Sequence, residues 1–61
     1  MKFTDKLKEL RESHDLTQRQ IAVGLEMDVA LYNRYEKGER HMKRRMVEKV
    51  AEYYNIPAMN S

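Results

Sequence analysis

The sequence predicts an all-α fold, a compact bundle of about four to five short helices. Apolar residues recur at helical spacing, polar N-cap residues precede the apolar stretches, and no strand-like stretch is long. With 61 residues the chain forms one domain at most, and a domain of this size buries only about 60% of the surface that its unfolded chain exposes. We expect this domain to span residues 1–57, with residues 58–61 as a short tail.

Composition narrows the class of protein. Without cysteine, the chain has neither a disulfide framework nor a Cys-ligated zinc site. No apolar run approaches the roughly 18 residues of a membrane span, and the N-terminus lacks the apolar region of a signal peptide, so we expect a cytoplasmic protein. Charged residues make up 36% of the chain, yet the net charge is only +2, so the distribution of charge is more informative than its total.

The first helix is predicted over about residues 4–13. Thr4 is a candidate N-cap because its hydroxyl can accept a hydrogen bond from an orphan backbone N–H. Lys and Glu occupy most of the helix surface, as expected of a helix that packs on one side only. Its apolar face, spaced i, i+4 and i+7, is formed by Phe3, Leu7 and Leu10.

The second helix is predicted over about residues 18–25, and its start has two signals. Thr17 and Gln20 have capping-box spacing, in which each side chain satisfies a backbone N–H of the other residue. Leu16 and Ile21 flank this box at the spacing of a hydrophobic staple, which fixes the entry angle of the chain. The inward residues are Ile21, Ala22 and Leu25.

A third helix is predicted over about residues 29–37, with Tyr32 and Tyr35 inward. Asp28 stands at its N-cap position, and Gly38 can adopt the left-handed conformation that ends a helix. Because so few residues separate the second and third helices, the two must cross at a steep angle, which is the geometry of a helix-turn-helix.

The fourth helix is predicted over about residues 43–54. Asn55 can take the left-handed position after it, and Pro57 bars its continuation. Its buried stripe is formed by Met46, Val47, Val50, Ala51 and Tyr54.

One stretch of the chain carries a family pattern, formed by Leu16-Thr17-Gln18, Ile21-Ala22, Leu25, Met27-Asp28, Tyr32, Arg34-Tyr35-Glu36 and Gly38. It resembles the phage-repressor-like helix-turn-helix family, also called the Cro/C1-type or XRE family. Ala22 fits the point where the second and third helices cross, since a larger side chain would push them apart. With both flanks, the resemblance covers about residues 3–56 and implies a lambda-repressor-like bundle.

The resemblance implies that the third helix enters the major groove of operator DNA. Arg34 is then the best base-reading candidate, because its planar fork matches guanine O6 and N7. Asn33 can pair with adenine or bond a phosphate, whereas Val29 and Ala30 can contact only thymine methyls or the sugar edge. Asp28 can accept from cytosine N4–H, although the N-cap is its more natural role.

The resemblance also implies a set of phosphate contacts, which position the protein without reading sequence. Family members place a residue against a phosphate where Gln18 opens the second helix, and a basic cluster follows the third helix. The candidates are Gln18, Arg19, Lys37, Arg40, Lys43 and Arg44, with His41 and Arg45 in the same cluster.

The turn between the second and third helices departs from the family pattern. Family members usually have Gly where this chain has Glu26, and a left-handed conformation there costs ~1 kcal/mol for a residue with a Cβ. We expect Gly24 to absorb part of the change. The apolar pair Val29 and Ala30 also differs from the polar readers of relatives.

The sequence therefore predicts a sequence-specific double-stranded-DNA-binding transcriptional regulator, of the repressor or controller type, acting as a homodimer on a palindromic operator. The alternative is an antitoxin-like or other protein-interaction module on the same fold, and a third possibility is an isolated domain of a longer regulator. No catalytic pair, Gly-rich phosphate loop or metal constellation appears, so we expect no enzymatic activity, cofactor or metal.

Overall fold

In a computed structural model of the protein, which describes residues 3–56, four α-helices follow a short 3-10 helix. The 3-10 helix spans Phe3–Lys6 and runs directly into α1 (Leu7–Ser13); α2 (Gln18–Gly24), α3 (Val29–Glu36) and α4 (Arg44–Tyr53) follow. No strand occurs within these residues. The all-α class is confirmed, and the helices lie close to their predicted ranges.

The predicted helix starts are confirmed at α2 and α3, whereas α1 begins later than predicted. At α2 the Gln20 N–H donates to Thr17 Oγ1 at 3.0 Å, and the Thr17 N–H donates to Gln20 Oε1 at 2.8 Å, which completes the capping box. Thr4 is not the cap of α1, because the 3-10 helix is already wound there and the N-cap position falls on Lys6. Asp28 does occupy the N-cap position of α3, but its side chain makes no capping hydrogen bond.

Each of these four helices ends in the same left-handed turn. After α3, the Gly38 N–H donates to the Tyr35 carbonyl at 3.1 Å and the Glu39 N–H donates to the Arg34 carbonyl at 2.9 Å, the paired bonds of a Schellman motif. The same pairing recurs at the other three ends. The residues with positive φ are Asp15 (56°), Glu26 (58°), Gly38 (74°) and Asn55 (57°), which confirms the predicted turns at Gly38 and Asn55.

The expectation that Gly24 relieves the turn after α2 is wrong. Glu26 itself takes the left-handed conformation, at φ 58°, while Gly24 remains inside α2. A Cβ on Gly24 would overlap Cε2 of the Tyr53 ring. Gly24 is therefore suited to this position because it leaves room for a side chain of α4.

The core lies where the four helices meet, and most of its members follow the predicted spacing. Tyr32 and Val50 are fully buried, and Met46 and Val47 pack against the core from partly exposed positions. Met42 is 5% exposed although it lies between α3 and α4, where helical periodicity has no predictive value. The buried cluster consists of Leu7, Ile21, Ala22, Leu25, Tyr32, Tyr35, Met42, Val50 and Tyr54.

Some expectations fall outside the described part of the chain: the side chain of Phe3, the helix stop at Pro57, and the tail at residues 58–61. The domain boundary at residue 57 thus stays a prediction. Among the helices within residues 3–56, none has the length and apolar character that crossing a membrane requires.

Candidate nucleic-acid interface

The pair formed by α2 and α3 provides the frame of the candidate site. Only residues 25–28 connect the two helices, and they turn through the left-handed Glu26. Ala22 is 2% exposed, and its carbonyl accepts the Met27 N–H at 2.9 Å, which closes the turn. Buried Ile21 and Leu25 anchor α2 on the core, so α3 is held with one side exposed.

The solvent-facing surface of α3 carries Arg34 and Ala30, with Asp28 at its N-cap; all three are exposed. The side chain of Arg34 makes no hydrogen bond or ion pair within residues 3–56. Its five N–H donors therefore remain available, and a planar fork of this kind matches the O6 and N7 edge of guanine.

Two residues predicted to face outward on α3 are instead half-buried. Val29 packs against the core, and Asn33 bonds to α2. The physical reason is helical spacing, because positions 29, 32, 33 and 36 are spaced i, i+3, i+4 and i+7 and lie on one side of α3. Tyr32 and the Glu36 side chain on this side are buried, so Val29 and Asn33 are partly covered with them. Val29 thus offers little apolar surface to a base, whereas Asn33 lies at the margin of the exposed face.

A hydrogen-bond network links α1, α2 and α3 beneath this surface. Arg11 Nε donates to Glu36 Oε2 at 2.6 Å, Arg11 Nη2 to Oε1 at 3.3 Å, and Arg11 Nη1 to the Leu16 carbonyl at 2.9 Å. Gln18 Nε2 donates to Glu36 Oε1 at 3.0 Å, and Asn33 Nδ2 donates to Gln18 Oε1 at 3.0 Å. Two residues predicted to contact DNA, Gln18 and Asn33, are thereby tied to an internal ion pair.

The ion pair is well shielded, with side-chain exposures of 13% for Arg11 and 5% for Glu36. Burial by itself raises the pKa of Glu36, but hydrogen bonds from Arg11 and Gln18, together with the nearby Tyr32 phenol, outweigh it and lower the pKa below 4.5. Burial raises the pKa of Tyr32, and the Glu36 carboxylate raises it further. Glu36 is therefore ionised at neutral pH.

A basic groove lies beside α3, between its C-terminal end and α4. Tyr35 and Met46 contribute apolar surface, and none of the described residues that line the groove is acidic. Lys49 was not among the predicted phosphate contacts, but it belongs to this groove, and its Nζ also lies 3.9 Å from Glu26 Oε1. The basic residues brought together are Arg40, His41, Lys43, Arg45 and Lys49.

The other phosphate candidates are dispersed. Arg19 on α2 and Lys37 after α3 are exposed. Arg44 is exposed too, but its Nε lies 3.3 Å from Glu48 Oε2 in an ion pair within α4. Among residues 3–56, no group of three His, Cys, Asp or Glu side chains is arranged to hold a metal ion.

The chain belongs to the helix-turn-helix domain family, whose match covers residues 2–59. Together with the phage repressor described next, this match confirms the resemblance to phage-repressor-like proteins. A curated relative, the cryptic phage CTXphi transcriptional repressor RstR of Vibrio cholerae, is 38% identical over 55 residues, and the match covers 90% of this chain and 50% of that protein. The chain thus spans about half the length of this relative. No solved structure gives a significant match.

Proposed function

We propose that the protein is a sequence-specific double-stranded-DNA-binding transcriptional regulator of the repressor or controller type. The observation that carries the proposal is the exposed face of α3, where Arg34 stands unpaired within residues 3–56 beside the groove lined by five basic side chains. The family match and the relative that is a phage transcriptional repressor support the same function. The regulator binds DNA in the cytoplasm and catalyses no reaction.

In the proposed complex α3 enters the major groove, with Arg34 reading guanine and Ala30 contacting thymine methyls. Asn33 reaches a base from the margin of this face, whereas Asp28 and Val29 contribute less because one is acidic and the other half-buried. Arg19 and Lys37, with the basic groove, contact the phosphates on either side and position the helix. Gln18 contacts a phosphate through the amide proton that Glu36 leaves free.

We further propose that two copies bind a palindromic operator. Helix-turn-helix dimers read half-sites about 34 Å apart, one helical turn of DNA. The described chain measures 29 × 23 × 20 Å, and its α3 has eight residues, so one copy reaches one half-site only. A symmetric pair of copies doubles the number of base contacts and matches the symmetry of an inverted repeat.

A binding selection on randomised duplex DNA at two salt concentrations tests this function. We expect an enriched inverted repeat, bound far more tightly than scrambled DNA and with a steep salt dependence. Arg34→Ala should reduce the discrimination between selected and scrambled sites by about 1–3 kcal/mol. An equal loss of affinity for both sites would instead place Arg34 among the phosphate contacts.

Weak binding that is indifferent to sequence would overturn the proposal and favour a protein-interaction module, such as an antitoxin. Two large apolar side chains within residues 3–56 are well exposed, Val23 at 70% and Tyr53 at 41%. They would be the first surface to examine for a protein partner.

A further inference from the structure

We propose that Gln18 is a positioning residue that fixes the direction of the Asn33 side-chain amide, so that Asn33 recognises a base pair in one strand orientation only. The inference rests on the proposed DNA-binding function and adds a specificity device to it. Its structural basis is the continuous series of hydrogen bonds from Arg11 through Glu36 and Gln18 to Asn33.

The direction of each amide follows from the chemistry of its partner. Glu36 is paired with Arg11 at 2.6 Å and is ionised, so its oxygens can only accept hydrogen bonds. Gln18 must therefore turn Nε2 toward Glu36, which leaves Oε1 on the opposite side of the amide. Because Oε1 only accepts, Asn33 must in turn present Nδ2 to it.

This arrangement leaves two polar groups of Asn33 free to contact a base, the acceptor Oδ1 and the second proton on Nδ2. Their positions relative to each other and to α3 are fixed by the bond to Gln18. On adenine, Oδ1 accepts from the N6 amino group while the Nδ2 proton is donated to N7. A rotated amide would place Oδ1 against Gln18 Oε1, two acceptors in contact, and would lose the bond of 3.0 Å. The fixed amide therefore favours adenine at one place and in one strand orientation.

A phosphate contact by Gln18 alone predicts a different outcome. Such a contact would strengthen binding to every DNA sequence equally, because phosphates carry no sequence information. A positioning role instead makes the base preference of Asn33 depend on Gln18. The two roles separate in an experiment that measures discrimination and overall affinity independently.

The variant Gln18→Met provides this test, because methionine is similar in length and removes both hydrogen bonds of the amide. Affinities are measured at one salt concentration for the selected operator and for single base-pair changes in it. We expect Gln18→Met to lose, by about 5- to 100-fold, the preference at the base pair whose preference also disappears in Asn33→Ala. Asn33→Ala should remove little further preference when Gln18→Met is already present.

Arg19→Met is the matched control, since Arg19 is the next residue of α2 and is exposed. It should weaken binding to all sequences by a similar factor and leave every base preference intact. Gln18→Ala is a second variant in case methionine disturbs the packing, and circular dichroism establishes that each variant is folded.

Nuclear magnetic resonance of the side-chain amides tests the arrangement without DNA. In the wild-type protein the chemical shifts of the two Nδ2 protons of Asn33 should differ by more than those of a free amide, because only one of the two is hydrogen-bonded to Gln18. Gln18→Met should bring them toward the values of a free amide. Unchanged Asn33 shifts in the folded variant would overturn the inference.

The affinities measured on DNA separate the positioning role of Gln18 from the DNA-binding function on which it rests. If the wild-type protein selects an operator but Gln18→Met weakens all sites equally, the positioning role is wrong and the regulator function stands. If the wild-type protein prefers no sequence, the proposed function fails, and the reading role of Asn33 fails with it.

Discussion

Glu36 receives hydrogen bonds from two elements of the fold, and its side chain is only 5% exposed. A buried carboxylate in this setting is stable because Arg11 neutralises its charge and the donors replace the water it has lost. Removing one partner leaves the other charged and unpaired, whereas replacing both with apolar groups removes the cost of desolvation as well. The position is therefore sensitive to single substitutions.

Arg11→Met should lower the free energy of unfolding by about 3–5 kcal/mol, because it leaves Glu36 buried without its counter-charge. The double variant Arg11→Met with Glu36→Leu should recover much of this loss. Urea denaturation at neutral pH measures both variants, and a double variant less stable than Arg11→Met alone would contradict the argument.

The Arg11–Glu36 pair also makes the stability of the protein depend on pH in the acid range. The pKa of Glu36 is lower in the folded protein than its ordinary value of 4.5, so its contribution to stability is fully present above that pH. The contribution is lost as the pH falls through the folded pKa. Thermal unfolding measured over a pH series checks this: in the double variant Arg11→Met with Glu36→Leu, this part of the loss of stability in acid should be absent.

Tyr54→Phe should stabilise the protein by about 1 kcal/mol, because the Tyr54 hydroxyl is buried without a hydrogen-bond partner among the described residues. The ring itself remains packed, 4.9 Å from the centroid of His14. Burial raises the pKa of Tyr54 to about 12, so deprotonation of this hydroxyl lowers the stability of the fold only above its ordinary value of 10.0, and the loss is complete once the pH has risen through 12. Urea denaturation of both proteins at neutral pH provides the check, and a less stable Tyr54→Phe would show that the hydroxyl has a partner.

The four α-helices share one way of ending. All four helices stop in a left-handed residue, and at three of the ends this residue has a Cβ: Asp15, Glu26 and Asn55. Asn tolerates the conformation comparatively well, whereas Glu has no such preference. The turn at Glu26 is therefore the most strained of the four.

Glu26→Gly should raise the stability by about 1 kcal/mol, because glycine adopts φ 58° without the Cβ penalty. Glu26→Ala is the control: it removes the exposed contact with Lys49 at 3.9 Å but keeps the Cβ, and should change stability little. Thermal and urea unfolding of the two variants measure the difference. Equal stabilities would mean that the turn is not strained.

For the whole molecule, the distribution of charge outweighs the net charge of +2. Basic residues follow α3 and line one groove, to which residues 3–56 contribute no acidic side chain, while the Arg11–Glu36 pair is internal. A polyanion therefore meets a locally positive surface on a nearly neutral protein.

Lys43→Gln should reduce the slope of log K against log salt for operator binding by about 0.9, the value for one lost phosphate contact on duplex DNA. Lys8→Gln is the matched control, since Lys8 is also exposed but lies on α1, outside the basic groove. Filter binding or fluorescence anisotropy across a salt series measures the slopes. A reduction of the same size in both variants would show that the groove is not a specific phosphate contact.

Local chemistry in the sequence was sufficient to predict the four helices, the capping box at Thr17 and the left-handed turns at Gly38 and Asn55. Each depends on residues within about one helical turn, and apolar spacing likewise predicted most of the core. The exposed position of Arg34 followed from the same spacing.

Tertiary packing decided the rest. The bond between Gln18 and Asn33 joins side chains from two helices, the burial of Met42 depends on the path of a connection, and Lys49 enters the basic groove because α4 lies beside the end of α3. These features depend on how helices are placed relative to one another, which helical spacing does not specify. The sequence by itself thus determined the elements and the family pattern, while the tertiary structure decided which polar side chains face solvent and which are tied to the interior.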